Sequence, residues 1–224
     1  MTNQQPSAAL NPGDSTSGLS GAFRSILRKF LQDVDDMLPA IVISVTPDRQ
    51  FVSVRAAIKV LGTDGSLTSR DPIAKVPVFT AGAGGFLMSF PIKQGDLGWI
   101  KANDRDISVF LQNNAEAGPP TNRFHSFENG LFIPDIVRTW ALADEDSANA
   151  VWQSADGSIK ITLGLDQIKI VHPTKVLIDT PQLICTGTIT GQNDVLAGPD
   201  NISGKGHTHG GVATGSGHTG EPDA

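Results

Sequence analysis

Apolar residues recur at helical spacing most clearly near the start of the chain. Phe23, Ile26, Leu27, Phe30, Leu31, Val34, Met37 and Leu38 fall on one side of a helix spanning 21–38, with Arg24, Arg28, Lys29, Asp33 and Asp36 on the other. Such a stripe packs on the chain's own domain or docks onto a partner subunit. The acidic residues on its polar face argue against a membrane-surface helix. Before it, residues 1–20 are small, polar and interrupted by Pro6, Pro12 and Gly13, the composition of a disordered arm.

After residue 38 the pattern shortens to strands, expected at 40–46, 51–60, 74–78, 85–90, 97–101 and 106–111. Turn signals separate them: Pro47-Asp48, Thr63-Asp64-Gly65, the run 81–85, and Gln94-Gly95-Asp96. Closely spaced short strands of this kind suit a closed β-barrel of the oligonucleotide/oligosaccharide-binding type over 39–140. Residues 112–124 read as a loop, the apolar patch Leu131, Phe132, Ile133, Pro134, Ile136, Val137 follows, and the small, acidic stretch 141–150 reads as a linker.

Beyond Val151 the rhythm changes. Ile159, Ile161 and Leu163 alternate with Ser158, Lys160 and Thr162; Ile168 and Ile170 flank Lys169; Val176 and Ile178, then Leu183, Cys185 and Ile189, continue the alternation. One ribbon of this kind, 151–204, is too thin to bury a core alone. Three copies with their apolar faces inward would make a trimeric intertwined β-helix or β-prism without open edges. Inward residues shrink toward the C-terminus through Cys185, Gly187 and Ala197, so the object should taper. Cys185 is then a small core residue, and His172 before Pro173 a turn residue. The fold class is therefore all-β, with one N-terminal helix.

Composition narrows the functional classes. The net charge of −6 and the lack of a basic cluster argue against nucleic-acid binding. A single cysteine excludes an intrachain disulfide framework. The polar start has no signal-peptide core, and no apolar run approaches the ~20 residues that span a bilayer, so folding in a cytoplasm is expected.

Few residues offer chemistry. The glycine run 82–85 lacks the lysine and helix of a phosphate cradle and reads as a hairpin turn. Asn103-Asp104-Arg105-Asp106 reads as a salt-bridged turn, and His125 with Ser126, Glu128 and Asn129 as a structural polar loop, since no serine sits in a nucleophile elbow. The exception lies in the glycine-rich end, 205–224, where His207 and His209 flank Thr208. In extended backbone both imidazoles leave one face about 7 Å apart. Two ligands make a poor site, but three copies on a threefold axis would supply six nitrogens, enough for an octahedral ion; the ligand chemistry permits zinc, nickel or cobalt.

The ending Gly206-His207-Thr208-His209-Gly210-Gly211-Val212, followed by Gly217-His218-Thr219-Gly220-Glu221-Pro222, resembles the apex of the central spike (cell-puncturing, membrane-piercing) proteins of contractile-tailed bacteriophage baseplates. Gly95-Asp96-Leu97-Gly98-Trp99-Ile100, Asp104-Arg105-Asp106-Ile107, Phe124-His125-Ser126 and Gly130-Leu131-Phe132-Ile133-Pro134 resemble the barrel domain of the same group. The resemblance covers residues 36–222. It implies a homotrimer in which His207 and His209 of each chain hold an iron ion on the axis, while His218 takes no part. It further implies a structural virion protein at the baseplate tip, assembled in the host cytoplasm, attached to a baseplate hub protein through its N-terminal region, and driven through the host outer membrane without catalytic turnover. Two rival readings remain: a trimeric β-helical metal-dependent enzyme with His218 as a third ligand, and a polysaccharide-binding module that stacks sugars on Trp99, Trp140 and Trp152.

Overall fold

The computed structural model describes residues 19–32, 34–62 and 64–206. These fall into two compact units, divided between Pro173 and Thr174. The first unit opens with helix α1 (Leu19–Gln32) and continues through β1 (Met37–Val45), β2 (Phe51–Ala56), the small hairpin β3 (Val60–Leu61) and β4 (Leu67–Thr68), and β5 (Ile73–Pro77). A second hairpin, β6 (Ala81–Ala83) and β7 (Phe86–Met88), precedes β8 (Leu97–Asn103), a short helix α2 (Ser108–Asn113) and β9 (Ser126–Pro134). A further sheet follows, made of β10 (Ala150–Gln153), β11 (Lys160–Leu163) and β12 (Ile168–Val171). Among the described residues of the second unit, β13 (Leu196–Ala197) and β14 (Ile202–Ser203) form a hairpin. The described chain is thus all-β, with one substantial helix at its N-terminal end.

The main sheet runs β5-β2-β1-β8-β9, every neighbour antiparallel. Its two edges meet just beyond β5, where Val78 bridges Phe132 in parallel and the Phe79 amide donates to the Phe132 carbonyl at 2.7 Å. Five strands closed in this order, with a parallel seam between third and fifth, form the expected barrel type. Alternate positions point inward: Val52, Val54 and Ala56 from β2, Gly98, Ile100 and Ala102 from β8, and Phe127, Gly130 and Phe132 from β9. Val52, Val54, Ile100, Ala102, Phe127 and Phe132 join Ala40, Val42 and Val76 in one core. Each large side chain buried there contributes about 1.5–3 kcal/mol relative to leaving it in water.

The barrel departs from the sequence expectation in its last strand. Residues 106–111 are not a strand: α2 occupies 108–113, because the Asp106 carboxylate accepts the Ser108 amide at 3.0 Å and starts a helical turn that Asn114 ends in left-handed conformation. A short apolar run such as Val109-Phe110-Leu111 fits either periodicity, and the preceding aspartate decides. The fifth strand comes instead from 126–134, read as loop and apolar patch. The helix is also shorter than 21–38. Leu38 precedes Pro39, which disfavours helical backbone, and Met37 and Leu38 pair with Lys101 and Ile100 in the barrel. The expected strand 51–60 stops at Ala56. The glycine run is the expected hairpin turn, with φ of 61° at Gly84 and 87° at Gly85, the geometry a two-residue β-turn of this hand requires.

Candidate functional site

The sheet β10-β11-β12 is inside out for a single chain. Cross-strand register aligns Trp152, Ile161 and Ile170 in one row, and Ala150, Leu163 and Ile168 in the next. Both rows lie on the same face, because paired residues share a face and Ile161 and Leu163 are two apart. That face is open: Trp152 is 58% exposed, Leu163 52% and Ile168 69%. On the opposite face of β11, Lys160 and Thr162 are only 8% and 5% exposed. The strand buries its polar side chains and presents its apolar ones.

A carboxylate explains the buried side. Residues 144–146 form a single 3₁₀ turn within the stretch expected as a linker, and it carries Asp146 to 3% exposure. The Lys160 ammonium hydrogen-bonds Asp146 and reaches Glu145 Oε1 at 3.2 Å; the Thr162 hydroxyl donates to Asp146 at 3.4 Å. The hydrogen bond to Lys160 holds the Asp146 carboxyl below the usual range, and the hydrogen bond to Asp146 raises the lysine. This pairing turns Lys160 and Thr162 inward and so turns Ile161 and Leu163 outward.

The second unit continues the theme. Residues 174–194, which include the expected strand residues Val176, Ile178, Leu183, Cys185 and Ile189, belong to no sheet formed by the described residues. Val176, Leu177, Ile178, Leu183, Ile184 and Ile189 are all exposed, as is Cys185, so the core position expected for the cysteine is not formed by one chain alone. The same holds at the other end. The α1 stripe of Leu19, Phe23, Ile26, Leu27, Phe30 and Leu31 is exposed throughout, so the helix does not bury it on its own domain.

The other candidates resolve into structural roles. Asp104 pairs with Arg105 at 3.5 Å and with His125 Nε2 at 3.4 Å, both at the surface, whereas Asp106 turns inward and takes the Thr121 hydroxyl at 2.9 Å. The His125 carbonyl accepts the Asp35 amide at 3.0 Å, and Ser126 Oγ accepts the Glu128 amide at 3.3 Å. Trp99 donates its indole N–H to Asp135 at 2.7 Å, which keeps that carboxyl below the ordinary range. Among the described residues no group of three or more His, Cys, Asp or Glu side chains could hold a metal ion. His207, His209 and His218 lie outside the described residues. Sequence reasoning missed Asp146, whose partner Lys160 lies fourteen positions on.

The fold is all-β, and its C-terminal half presents apolar faces to solvent. Residues 38–135 match the family model described as phage protein Gp138 N-terminal domain. That segment is the barrel, and the match supports a virion-associated structural protein of a phage tail or baseplate. No curated protein matches the chain.

Proposed function

We propose that the protein is the trimeric central spike of a contractile-tailed phage baseplate, which pierces the host outer membrane when the tail contracts. The observation that carries this reading is the outward apolar face of β10-β11-β12, backed by the buried Asp146–Lys160 pair. An exposed face of that kind calls for a partner, and copies of the same chain offer the same face around a threefold axis. Residues 176–194, rich in exposed apolar side chains and outside any sheet formed by the described residues, would find strand partners in the other two chains, completing an intertwined β-helix over 151–204. The barrel match supports the baseplate setting.

At the tip, His207 and His209 of three chains supply six imidazole nitrogens, a donor set that suits iron and equally accommodates zinc, nickel or cobalt. A shared ion would tie together chain ends that otherwise fray. In the N-terminal part of the chain, the exposed α1 stripe suits docking on a baseplate hub protein. The role is mechanical and needs no turnover.

Light scattering and elemental analysis on one sample test the reading. Three times 23.6 kDa with one iron per three chains is expected, the iron being lost in His207→Ala/His209→Ala. A monomer, or a metal retained at one per chain by the double variant, would overturn it.

A further inference from the structure

Helix α1 as folded is an amphipathic element whose only charges are positive. Its residues Leu19–Gln32 include Arg24, Arg28 and Lys29 and no carboxylate. Asp36, which the helical pattern placed on the polar side, lies four residues beyond the helix end and turns to the barrel, 3.5 Å from Lys101. Asp35 is committed there too: its carboxylate accepts the Phe127 amide at 3.2 Å and pairs with Arg70 at 3.3 Å. Among the described residues, none of the three basic side chains of α1 pairs with a carboxylate. At about 3.6 residues per turn, Arg24 and Arg28 flank the apolar stripe on the side of Leu31, and Lys29 flanks it on the side of Ile26. Like charges four apart, as at Arg24 and Arg28, weaken an isolated helix, so these charges do not serve the helix itself.

We propose that the site receiving α1 is an apolar groove with an acidic rim on the hub protein. This names the partner's chemistry for the docking reading above and rests on it. The apolar stripe fills the floor of the groove, and Arg24, Arg28 and Lys29 meet carboxylates along its edges, where complementary charge steers the encounter and fixes the register. The protein carries a net −6 while α1 carries three positive charges, so an anionic partner is attracted at the helix and repelled by the remainder of the chain. That contrast favours a bounded groove over a planar anionic membrane. A plane laid against α1 would also meet the Asp36 side chain, 83% exposed just past the helix, whereas a groove about 21 Å long ends where the helix ends.

The test is attachment of the whole chain to baseplates assembled without spike, measured across a salt series. Arg24→Glu with Arg28→Glu and Lys29→Glu should attach roughly tenfold or more weakly while keeping the wild-type mass in light scattering, and wild-type attachment should weaken as salt rises. Should the reversal unwind the helix, Arg24→Gln with Arg28→Gln and Lys29→Gln decides, because glutamine keeps the helix propensity and removes only the charge. Weaker attachment with a flattened salt response is expected of it. Wild-type attachment and salt response in the glutamine variant, with attachment still lost in Phe23→Ser/Phe30→Ser, would overturn the acidic rim and leave the docking reading standing. Attachment indifferent to both sets of substitutions would overturn both. Flotation of the wild-type protein with phosphatidylglycerol but not phosphatidylcholine vesicles, alongside baseplate attachment that ignores the charge variants, would overturn the groove in favour of a lipid surface.

Discussion

Gly98 on β8 lies directly against Phe132 on β9. A Cβ placed on Gly98 would stand 2.5 Å from the Phe132 ring and 2.5 Å from the Ile133 carbonyl oxygen, and backbone cannot move aside as a flexible side chain can. Phe132 is wholly buried and its carbonyl forms the seam that closes the barrel. Gly98→Ala should therefore destabilise the barrel by about 1–3 kcal/mol, the usual cost of overpacking. Phe132→Ala should cost about 3–5 kcal/mol by leaving a cavity. Denaturant melts followed by Trp99 fluorescence measure both, and a Gly98→Ala protein as stable as wild type would contradict the packing.

The Asp146–Lys160 pair predicts a stability plateau with two edges. Asp146 titrates lower in the fold than its ordinary 3.8, so its contribution is complete above that value and is lost as pH falls through the folded one. Lys160 titrates above its ordinary 10.5, so its contribution is complete below that value and is lost as pH rises through the folded one. Asp146→Ala, which strands a buried ammonium, should lower the melting temperature at neutral pH more than Asp146→Leu combined with Lys160→Met, which removes both charges. Melting curves at pH 2, 7 and 12 separate these outcomes; equal loss in the two variants at pH 7 would refute the pairing.

Asp156 makes a sharper acid prediction. It sits in the turn between β10 and β11, where Ser154, the Ser158 amide and the Ser158 hydroxyl all donate to it and lower its titration from 3.8 to about 2. Because the folded value is depressed, its stabilisation is present above 3.8 and fades as pH falls toward 2. Asp156→Asn should remove that acid-dependent component. The check is carbon-detected titration of the carboxyl: a midpoint near the ordinary value would disprove the turn geometry.

What the sequence made legible follows from how local each signal is. Val52, Val54 and Ala56 alternate with polar neighbours and mark a strand whatever surrounds them, and two adjacent glycines at 84–85 announce their turn. The role of 106–111 was not legible, since it hangs on one Asp106 contact that either periodicity accommodates. The alternation around Ile161 was plain, but which of its faces points inward depends on Asp146, fourteen residues before Lys160 and hidden in an apparently featureless acidic stretch. The hydrogen bonds that Ser203 and Lys205 give to the Asp194 carboxylate left no sequence signal at all, because one aspartate before a hairpin looks like any turn residue. The histidine pair is the reverse case: conspicuous as a motif, it lies outside the described residues.

Helix α1 yields the last prediction. Its apolar stripe is exposed along its length, with Phe23 64% and Phe30 53% accessible. Burial is what makes an aromatic side chain matter to stability, and substitutions at exposed positions usually change it by no more than about 0.5 kcal/mol. Phe23→Ser with Phe30→Ser should therefore leave the barrel's denaturant midpoint unchanged within that margin. If the stripe serves a partner, the same double variant should lose attachment to the baseplate hub while remaining folded and assembled. Purified variant, added to baseplates assembled without spike, reads both at once. A fall of several kcal/mol in barrel stability would mean that the helix packs on its own domain after all, and normal attachment would mean that the stripe has another purpose.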